Sequence, residues 1–169
     1  MSRQTSRAIA PAARTLYVAE TAAQWAQAPP AVVDCSVLAA IFWAEPAAAD
    51  ARAQLAGRSL HAPALVGYEL ANVARNKCRS GVPADVARAG LDAFADQRIV
   101  LHEAEATALF DLAYRHALTA YDAAYLALAL KLRAPLITFD HKLAQAARAL
   151  GQPDCSPPAP AAPHPKETP

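Results

Sequence analysis

Four carboxylates stand where a parallel sheet would bring distant parts of the chain together. Asp34 directly follows a short apolar run, and Asp140 follows another with one residue between. Glu69 lies in the first turns of the helix after the second predicted strand, and Asp122 in the first turn of the helix before the fourth. Because sites in open parallel sheets form beyond the carboxyl ends of the strands, we expect all four side chains at one edge.

Such a group of acids has a definite chemistry. Four carboxylates at one edge repel each other and raise one another's pKa, and a bound cation relieves that repulsion. Oxygen ligands without His or Cys select hard ions, so the expected cofactor is Mg²⁺ or Mn²⁺. Mg²⁺ held by a few carboxylates keeps waters, binds phosphate oxygens, can activate one water and can stabilise the leaving oxygen of a phosphodiester. The pattern therefore predicts metal-dependent phosphodiester hydrolysis.

Three of these acids also have ordinary structural explanations. Thr119 and Asp122 have the spacing of a helix capping box. Asp140 can cap the last helix, and Glu69 can be a solvated helix charge. Each explanation is adequate for one residue alone, whereas the joint placement of the acids at one edge favours the metal site.

Asp34 is harder to explain by local structure. A carboxylate directly after a buried apolar strand is poorly placed for solvent, and Ser36 is the better N-cap for the next helix. We therefore expect Asp34 to be functional.

Strands that alternate with helices predict an α/β fold with three α/β/α layers and a short, mostly parallel central sheet. The predicted strands are 31–33, 59–62, 99–101 and 135–138. The predicted helices are 37–43, 46–55, 65–79, 83–95, 105–116, 120–132 and 141–150.

The pattern covers residues 31–151, which we expect to form one domain. Residues 1–30 are an N-terminal extension, partly helical over 15–26 or disordered, that stops at two prolines. Residues 152–169 are proline-rich and are expected to form a disordered tail.

The formal net charge of the chain is +1, so bulk charge alone would not hold it on nucleic acid. Any affinity for nucleic acid must come from local patches, and Arg75, Lys77 and Arg79 form one such patch after Glu69. These three residues either contact substrate phosphates or complement the dipole at the end of their helix.

Three cysteines without metal-ligand spacing predict a reduced, cytoplasmic protein with neither a disulfide framework nor a zinc module. No apolar run approaches the length of a membrane helix or has the form of a signal peptide. The sequence therefore argues against a membrane protein.

Four segments of the chain resemble a known family in this order: VDCSVLAA at 33–40, ELANV at 69–73, LTAYDAAYLALA at 118–129 and APLITFDHKL at 134–143. Together they are similar to the PIN-domain nucleases and, within that family, to the VapC-type toxins of bacterial type II toxin–antitoxin pairs. The third segment is the most specific of the four. The resemblance implies a doubly wound α/β/α fold and a Mg²⁺- or Mn²⁺-dependent endoribonuclease.

The resemblance also implies roles for individual residues. Asp34 and Asp122 correspond most directly to metal ligands, and Glu69 and Asp140 complete the acidic set. The matching polar residues expected to support them are Ser36, Asn72, Thr119 and Thr138. A cognate antitoxin protein, a homodimer and an RNA substrate are the partners that the family implies.

Aromatic residues near these segments have two interpretations. The cluster of Ile41, Phe42 and Trp43 is either core or, by analogy with the family, part of a groove for an antitoxin segment. Tyr121 and Tyr125 flank Asp122 and either pack or stack on a base.

Other functions stay open. One is a PIN-fold housekeeping nuclease, and another is a catalytically silent domain that binds RNA or protein. A receiver-like phosphotransfer domain with Asp34 as acceptor would need a lysine after the last strand, which is not evident.

Overall fold

The computed structural model describes residues 28–152. The four strands in this range are β1 (Pro30–Val33), β2 (Ser59–Pro63), β3 (Ile99–His102) and β4 (Leu136–Ile137). The seven helices in this range are α1 (Cys35–Phe42), α2 (Ala48–Leu55), α3 (Val66–Arg79), α4 (Ala84–Ala95), α5 (Ala106–His116), α6 (Ala120–Leu132) and α7 (His141–Ala149).

The strands form one sheet in the order β3-β2-β1-β4, and every pairing within the described residues is parallel. Helix α6 packs against β1, β2 and β4 and also against α5 and α7, while α1 to α4 form a second packed group. The predicted three-layer α/β/α architecture is confirmed.

Strand β1 is central because its sequence is apolar on both faces. Ala31, Val32 and Val33 are fully buried, which is the pattern of a parallel strand covered by helices on either side. Backbone pairing joins Val32 to Leu136 of β4 and Ala31 to Leu60 of β2. The carboxyl end of β1, where Asp34 follows, therefore lies in the middle of the sheet edge.

Helix α6 is formed by one long apolar stretch of sequence. Its buried residues lie around most of its circumference, as expected for a helix enclosed by a sheet and two other helices. The first turn is fixed by Thr119 and Asp122, and the C-cap of the helix, Arg133, adopts the left-handed conformation with φ 50°. The helix thus begins at the functional edge of the sheet.

The element boundaries differ from the sequence prediction mainly near the acids. Helix α1 begins at Cys35, two residues earlier than predicted, and its N-cap is Asp34. The expectation that Ser36 caps this helix was wrong, because the helix starts before Ser36. Strand β4 is limited to Leu136–Ile137, which leaves Thr138 outside the ladder.

The Ile41–Trp43 cluster lies at the junction of α1 with α4. Ile41 is buried, and Phe42 and Trp43 pack against the core. The Phe42 ring meets Phe94 of α4 edge to face at a centroid distance of 6.1 Å. In the described part of the chain this cluster is core.

The predicted helix at 15–26 and the proline-rich tail lie outside the described residues, and the division into 1–30, 31–151 and 152–169 stays a prediction. Within residues 28–152, every helix is too short or too polar to cross a membrane.

We expect Gly90→Ala to destabilise the fold, because an added Cβ would stand 2.5 Å from Nε1 and 2.7 Å from Cζ2 of Trp43. Alanine favours helix over glycine by about 1 kcal/mol, but overpacking costs about 1–3 kcal/mol. Urea unfolding should therefore show a net loss of up to about 2 kcal/mol. Gly67→Ala is the matched control, since its Cβ would lie 3.8 Å from Phe94. A more stable Gly90→Ala protein would contradict the packing of α4 on Trp43.

Candidate active site

Asp34 is a buried carboxylate held by hydroxyl groups at the central edge of the sheet. Its side chain is 7% exposed. Its Oδ2 accepts a hydrogen bond of 2.6 Å from Ser36 Oγ and one of 2.8 Å from Thr138 Oγ1. Ser36 and Thr138, both predicted as supporting residues, therefore contact the first acid directly.

The same two hydroxyl groups connect the segments after β1 and β4. Ser36 Oγ accepts a hydrogen bond from the backbone N–H of Phe139 at 3.0 Å. Thr138 Oγ1 accepts one from the backbone N–H of Asp140 at 2.9 Å. Thr138 is nearly fully buried. Each hydroxyl thus donates to Asp34 and accepts from the β4 exit, which fixes the two loops relative to each other.

Burial raises the pKa of the Asp34 carboxyl, and the hydrogen bonds from Ser36 and Thr138 oppose that rise. The neighbouring Cys35 thiol is also affected, since burial first and then the charges of Glu69 and Asp34 raise its pKa to about 12. A thiol with that pKa stays protonated at neutral pH, which excludes Cys35 as a thiolate nucleophile.

Glu69 is held by a buried tyrosine from another helix. Tyr125 of α6 is fully buried and its hydroxyl donates to Oε2 of Glu69 in α3, across 56 positions of the chain. Burial raises the pKa of Glu69, the Tyr125 bond lowers it, and the charges of Asp34 and Asp122 raise it. Burial and the bond to Glu69 raise the pKa of Tyr125, so its hydroxyl keeps its proton.

Asp122 has the capping role that its spacing predicts. Its Oδ2 accepts a 2.8 Å hydrogen bond from Thr119 Oγ1, and its backbone N–H donates to the same Thr119 oxygen at 3.0 Å. The capping box of α6 is complete. The cap also aims this carboxylate toward the site, since the charge of Asp122 acts on Glu69.

Asp140 is placed differently from the other three acids. It is exposed, and its Oδ1 accepts a 2.8 Å hydrogen bond from the backbone N–H of Leu143 as the N-cap of α7. Its link to Asp34 runs through its own backbone and Thr138. Asp34 and Asp122 therefore both lie within electrostatic range of Glu69, and Asp140 is connected to Asp34 through Thr138.

The donor set fits a hard divalent cation in type, because it consists of carboxylate oxygens. Burial raises the pKa of Asp34, and burial together with the charges of Asp34 and Asp122 raises the pKa of Glu69. Within residues 28–152, no three His, Cys, Asp or Glu side chains are gathered around one point.

Of the four acids, Glu69 lines an open groove of about 610 Å³. Its lining residues are Cys35, Leu65, Tyr68, Glu69, Asn72, Val73 and Tyr121. Asn72, predicted as a supporting residue, is exposed in this groove and lies on α3 one turn after Tyr68. Tyr121 also lines it, whereas Tyr125 is packed inside.

Two neighbours of the acids were given no role from the sequence. Tyr68 was predicted to share one side of its helix with Asn72, Arg75 and Arg79, but no role beside Glu69 was assigned to it. The role of Tyr125 as a partner of Glu69 was also missed, although Tyr125 lies three residues after Asp122 and so shares its helix face.

The basic patch after Glu69 divides into two parts. Arg75 and Arg79 are exposed on α3. Lys77 instead forms an ion pair of 2.6 Å with Glu45 and lies 5.5 Å from the ring centroid of Trp43. Lys77 therefore has a structural partner, Glu45, in the loop after α1. Contact of Arg75, Lys77 and Arg79 with RNA stays a prediction.

Comparison with known proteins identifies the family. The sequence model of the PIN domain matches residues 31–149. The chain belongs to the PIN domain family. Within that family it is similar to the VapC type: it is 33% identical over 128 residues to Ribonuclease VapC3 of Pyrobaculum aerophilum, across 72% of this chain and 98% of that protein.

The fold has a counterpart among solved structures. The crystal structure of PAE2754 from Pyrobaculum aerophilum aligns with a TM-score of 0.58 and 23% sequence identity. The alignment covers 75% of this chain and 90% of that one. At this level of identity the likeness supports the fold alone.

We expect Asp34→Asn to leave the metal-free protein at least as stable as wild type at pH 7. The folded pKa of Asp34 is raised above its ordinary 3.8, so its favourable contribution is complete below that value and is lost as pH rises through the folded pKa. The amide removes this penalty and can still accept from both hydroxyls. Urea unfolding between pH 3 and about pH 8 should show a smaller loss of stability with pH in the variant. Asp111→Asn, on exposed α5, is the control, and a clearly destabilised Asp34→Asn protein would contradict the expectation.

Tyr125→Phe keeps the buried ring and removes only the hydroxyl that donates to Glu69. We expect a loss of about 1.5–3 kcal/mol in the free energy of unfolding at pH 8, since hydrogen bonds to charged groups contribute at this level. Because the bond lowers the pKa of Glu69, its removal should raise that pKa further, as a carboxyl-carbon NMR titration can measure. Tyr114→Phe, at an exposed tyrosine, is the control. An unchanged Glu69 titration would show that the bond is unimportant.

Proposed function

We propose that this protein is a Mg²⁺- or Mn²⁺-dependent endoribonuclease and that it acts as the toxin of a toxin–antitoxin pair. Membership of the PIN domain family and similarity to Ribonuclease VapC3 support ribonuclease activity. The observation that carries the proposal is that Asp34 and Asp122, from separate elements, both act electrostatically on Glu69.

In this proposal Asp34 and Asp122 are the principal metal ligands, and Glu69 and Asp140 complete the acidic set. The hydrogen bonds of each acid end on one of its two oxygens: Oδ2 of Asp34, Oε2 of Glu69, Oδ2 of Asp122 and Oδ1 of Asp140. Ser36 and Thr138 therefore orient the carboxylate of Asp34 through one of its oxygens, and Tyr125 orients that of Glu69 in the same way. When bound, the cation supplies Lewis-acid stabilisation of the phosphoryl group and lowers the pKa of a water.

Glu69 has a second role in this scheme. Its pKa is raised by burial and by neighbouring charge, which moves it toward the range where a carboxylate can accept a proton from water. Tyr125 keeps the Oε2 atom in place, so Oε1 is the oxygen that would receive that proton. By donating to Asp34, Ser36 and Thr138 lower its pKa against the larger effect of burial, which raises it.

The biological setting is also part of the proposal. A cognate antitoxin, a homodimer and a cytoplasmic location follow from the similarity to VapC-type proteins. A short neighbouring gene for a small DNA-binding protein would support the toxin role, and a neighbourhood without one would favour a housekeeping nuclease with the same acids.

We expect Asp34→Asn and Asp122→Asn to reduce RNA cleavage by at least about a hundredfold, because a metal's stabilisation of the transition state amounts to several kcal/mol. The measurement is single-turnover cleavage of a labelled RNA by the folded full-length chain with Mg²⁺ or Mn²⁺. Asp111→Asn should cleave at the wild-type rate.

Wild-type cleavage by Asp34→Asn would refute the metal-dependent mechanism. Calorimetric titration separates the silent-domain alternative: an unmutated chain that binds neither Mg²⁺ nor Mn²⁺ and leaves RNA intact is a binding domain. Acyl-phosphate labelling of Asp34 would instead indicate the receiver-like alternative.

A further inference from the structure

Two histidines join β2 to β3, the strand at the edge of the sheet. His61 Nδ1 lies 2.9 Å from His102 Nε2, within hydrogen-bonding distance. The ring centroids are 5.2 Å apart, little more than that gap plus the two ring radii, so the rings meet end to end through these nitrogens. His61 and His102 form what we call the histidine pair, and neither has a role in the proposed active site.

The surroundings of His61 assign the direction of this hydrogen bond. Ser59 is buried, and its hydroxyl donates to the carbonyl oxygen of Ala28 at 3.0 Å. Its Oγ also lies 3.4 Å from His61 Nε2, and because its only proton is already used, it can only accept there. His61 therefore carries its proton on Nε2 and offers the lone pair of Nδ1, to which His102 donates from Nε2.

The backbone of His102 also holds the segment that leads into α3. Its carbonyl oxygen accepts a 2.9 Å hydrogen bond from the N–H of Ala64, and the carbonyl of Leu65 accepts from the N–H of Glu69 at 3.2 Å. Within residues 28–152, β3 has β2 as its one neighbouring strand. Elements with few neighbours open locally at a lower free energy than the core does. The junction between β3 and α3, formed by His102 and Ala64, therefore depends on a small number of bonds.

We propose that the histidine pair makes this junction sensitive to pH: the junction stays closed while the pair holds one extra proton at most, and it opens when a second one binds. The first proton can enter at Nδ1 of His102, which leaves the bond from its Nε2 to His61 intact. The second must enter at Nδ1 of His61, on the lone pair that accepts this bond. Two N–H donors and two positive rings then face each other, so the bond is lost and repulsion is added.

The charged groups around the pair support this behaviour. Burial first, and then the charge of Lys131 on α6, lower the pKa of His102. Burial first, and then His102, lower the pKa of His61. Lys131 and His102 line a cavity of about 280 Å³ together with Glu103, Glu105 and otherwise apolar side chains. Both glutamates are exposed, so solvent screens their charges.

The sign of the pH effect follows from these directions. Both folded pKa values lie below the ordinary 6.5, so the open and unfolded forms take up protons before the closed form does. The stability that the pair contributes is complete above 6.5 and is lost as the pH falls through the folded pKa values. The strand partners of His61, Val32 on β1 and Val100 on β3, carry no charge that could compensate. Acidification therefore opens the junction.

A proton fits this gap better than a metal ion does. Imidazole nitrogens bind Zn²⁺ at about 2.0–2.1 Å. Since the two nitrogens of the pair face each other end to end at 2.9 Å, an ion between them would have to push the rings apart.

The first test follows amide hydrogen exchange of the full chain by NMR, in EDTA and without RNA. Between about pH 7.5 and about pH 5 the protection factor of the Ala64 amide, which already corrects for the intrinsic pH dependence of exchange, should fall about five- to tenfold, as expected for the loss of one hydrogen bond. The Glu69 amide should change in the same direction. The Val32 amide, which donates to Pro135 away from the pair, should change less.

His102→Gln is the matched variant for this measurement. Its side-chain amide can donate to His61 Nδ1 or, after a flip, accept from it, so the bond survives protonation and the Ala64 protection factor should change less than about twofold. His116→Gln, at a histidine of α5 outside the pair, should keep the wild-type pH dependence. If His102→Gln does not fold, His61→Asn takes its place, since its Oδ1 can accept from His102 in either charge state.

The second test titrates the imidazole nitrogens of the wild type by NMR. The histidine pair should take up protons in two separate steps, the second at a lower pH than the same histidines require in the urea-unfolded chain. Zn²⁺ at neutral pH should leave the signals of both rings unchanged.

Rings that titrate independently and as in the unfolded chain, or Ala64 protection that falls equally in wild type and His102→Gln, would overturn the proposal. A shift of both rings on adding Zn²⁺ would make the pair a metal site and overturn it as well. These measurements need neither RNA nor a catalytic metal, so their failure is distinct from failure of the proposed function.

Discussion

The structure depends on the burial of one carboxylate, Asp34, at the carboxyl end of the central strand. Asp34 has little solvent, and burying an ionised carboxylate is costly unless it is hydrogen-bonded. Ser36 and Thr138 supply hydroxyl donors from the two loops that leave β1 and β4, across 104 positions in the case of Thr138. These hydroxyls also accept hydrogen bonds from the backbone after β4. The same two side chains therefore both stabilise the Asp34 carboxylate and join the two loops.

The second constraint comes from α6. One helix supplies a carboxylate to the site through Asp122 and, one turn later, the buried hydroxyl of Tyr125 that holds Glu69. Three of the six buried residues of this helix are alanines, Ala123, Ala124 and Ala129. The contact between α3 and α6 is made by the long side chains of Glu69 and Tyr125.

The sequence predicted the parts of the structure that depend on local pattern. The alternation of apolar strands and helices gave every strand and helix of the described range, and the parallel order put the acids at one edge. Pairings between helices were not predictable in this way. The Tyr125–Glu69 bond and the Lys77–Glu45 ion pair join residues 56 and 32 positions apart, and they depend on how helices dock. The role of Ser36 was misjudged for a local reason, since Asp34 itself starts the helix.

The way in which the acids are anchored bears on why the protein alone does not gather its carboxylates around one point. If Asp34, Glu69 and Asp122 were packed around one point, three negative charges would meet in a partly desolvated place, with a large electrostatic cost. Hydroxyl donors on one oxygen of each acid keep the carboxylates separated at a tolerable cost while fixing their directions. A divalent ion arriving with a phosphate can then complete its shell from both sides.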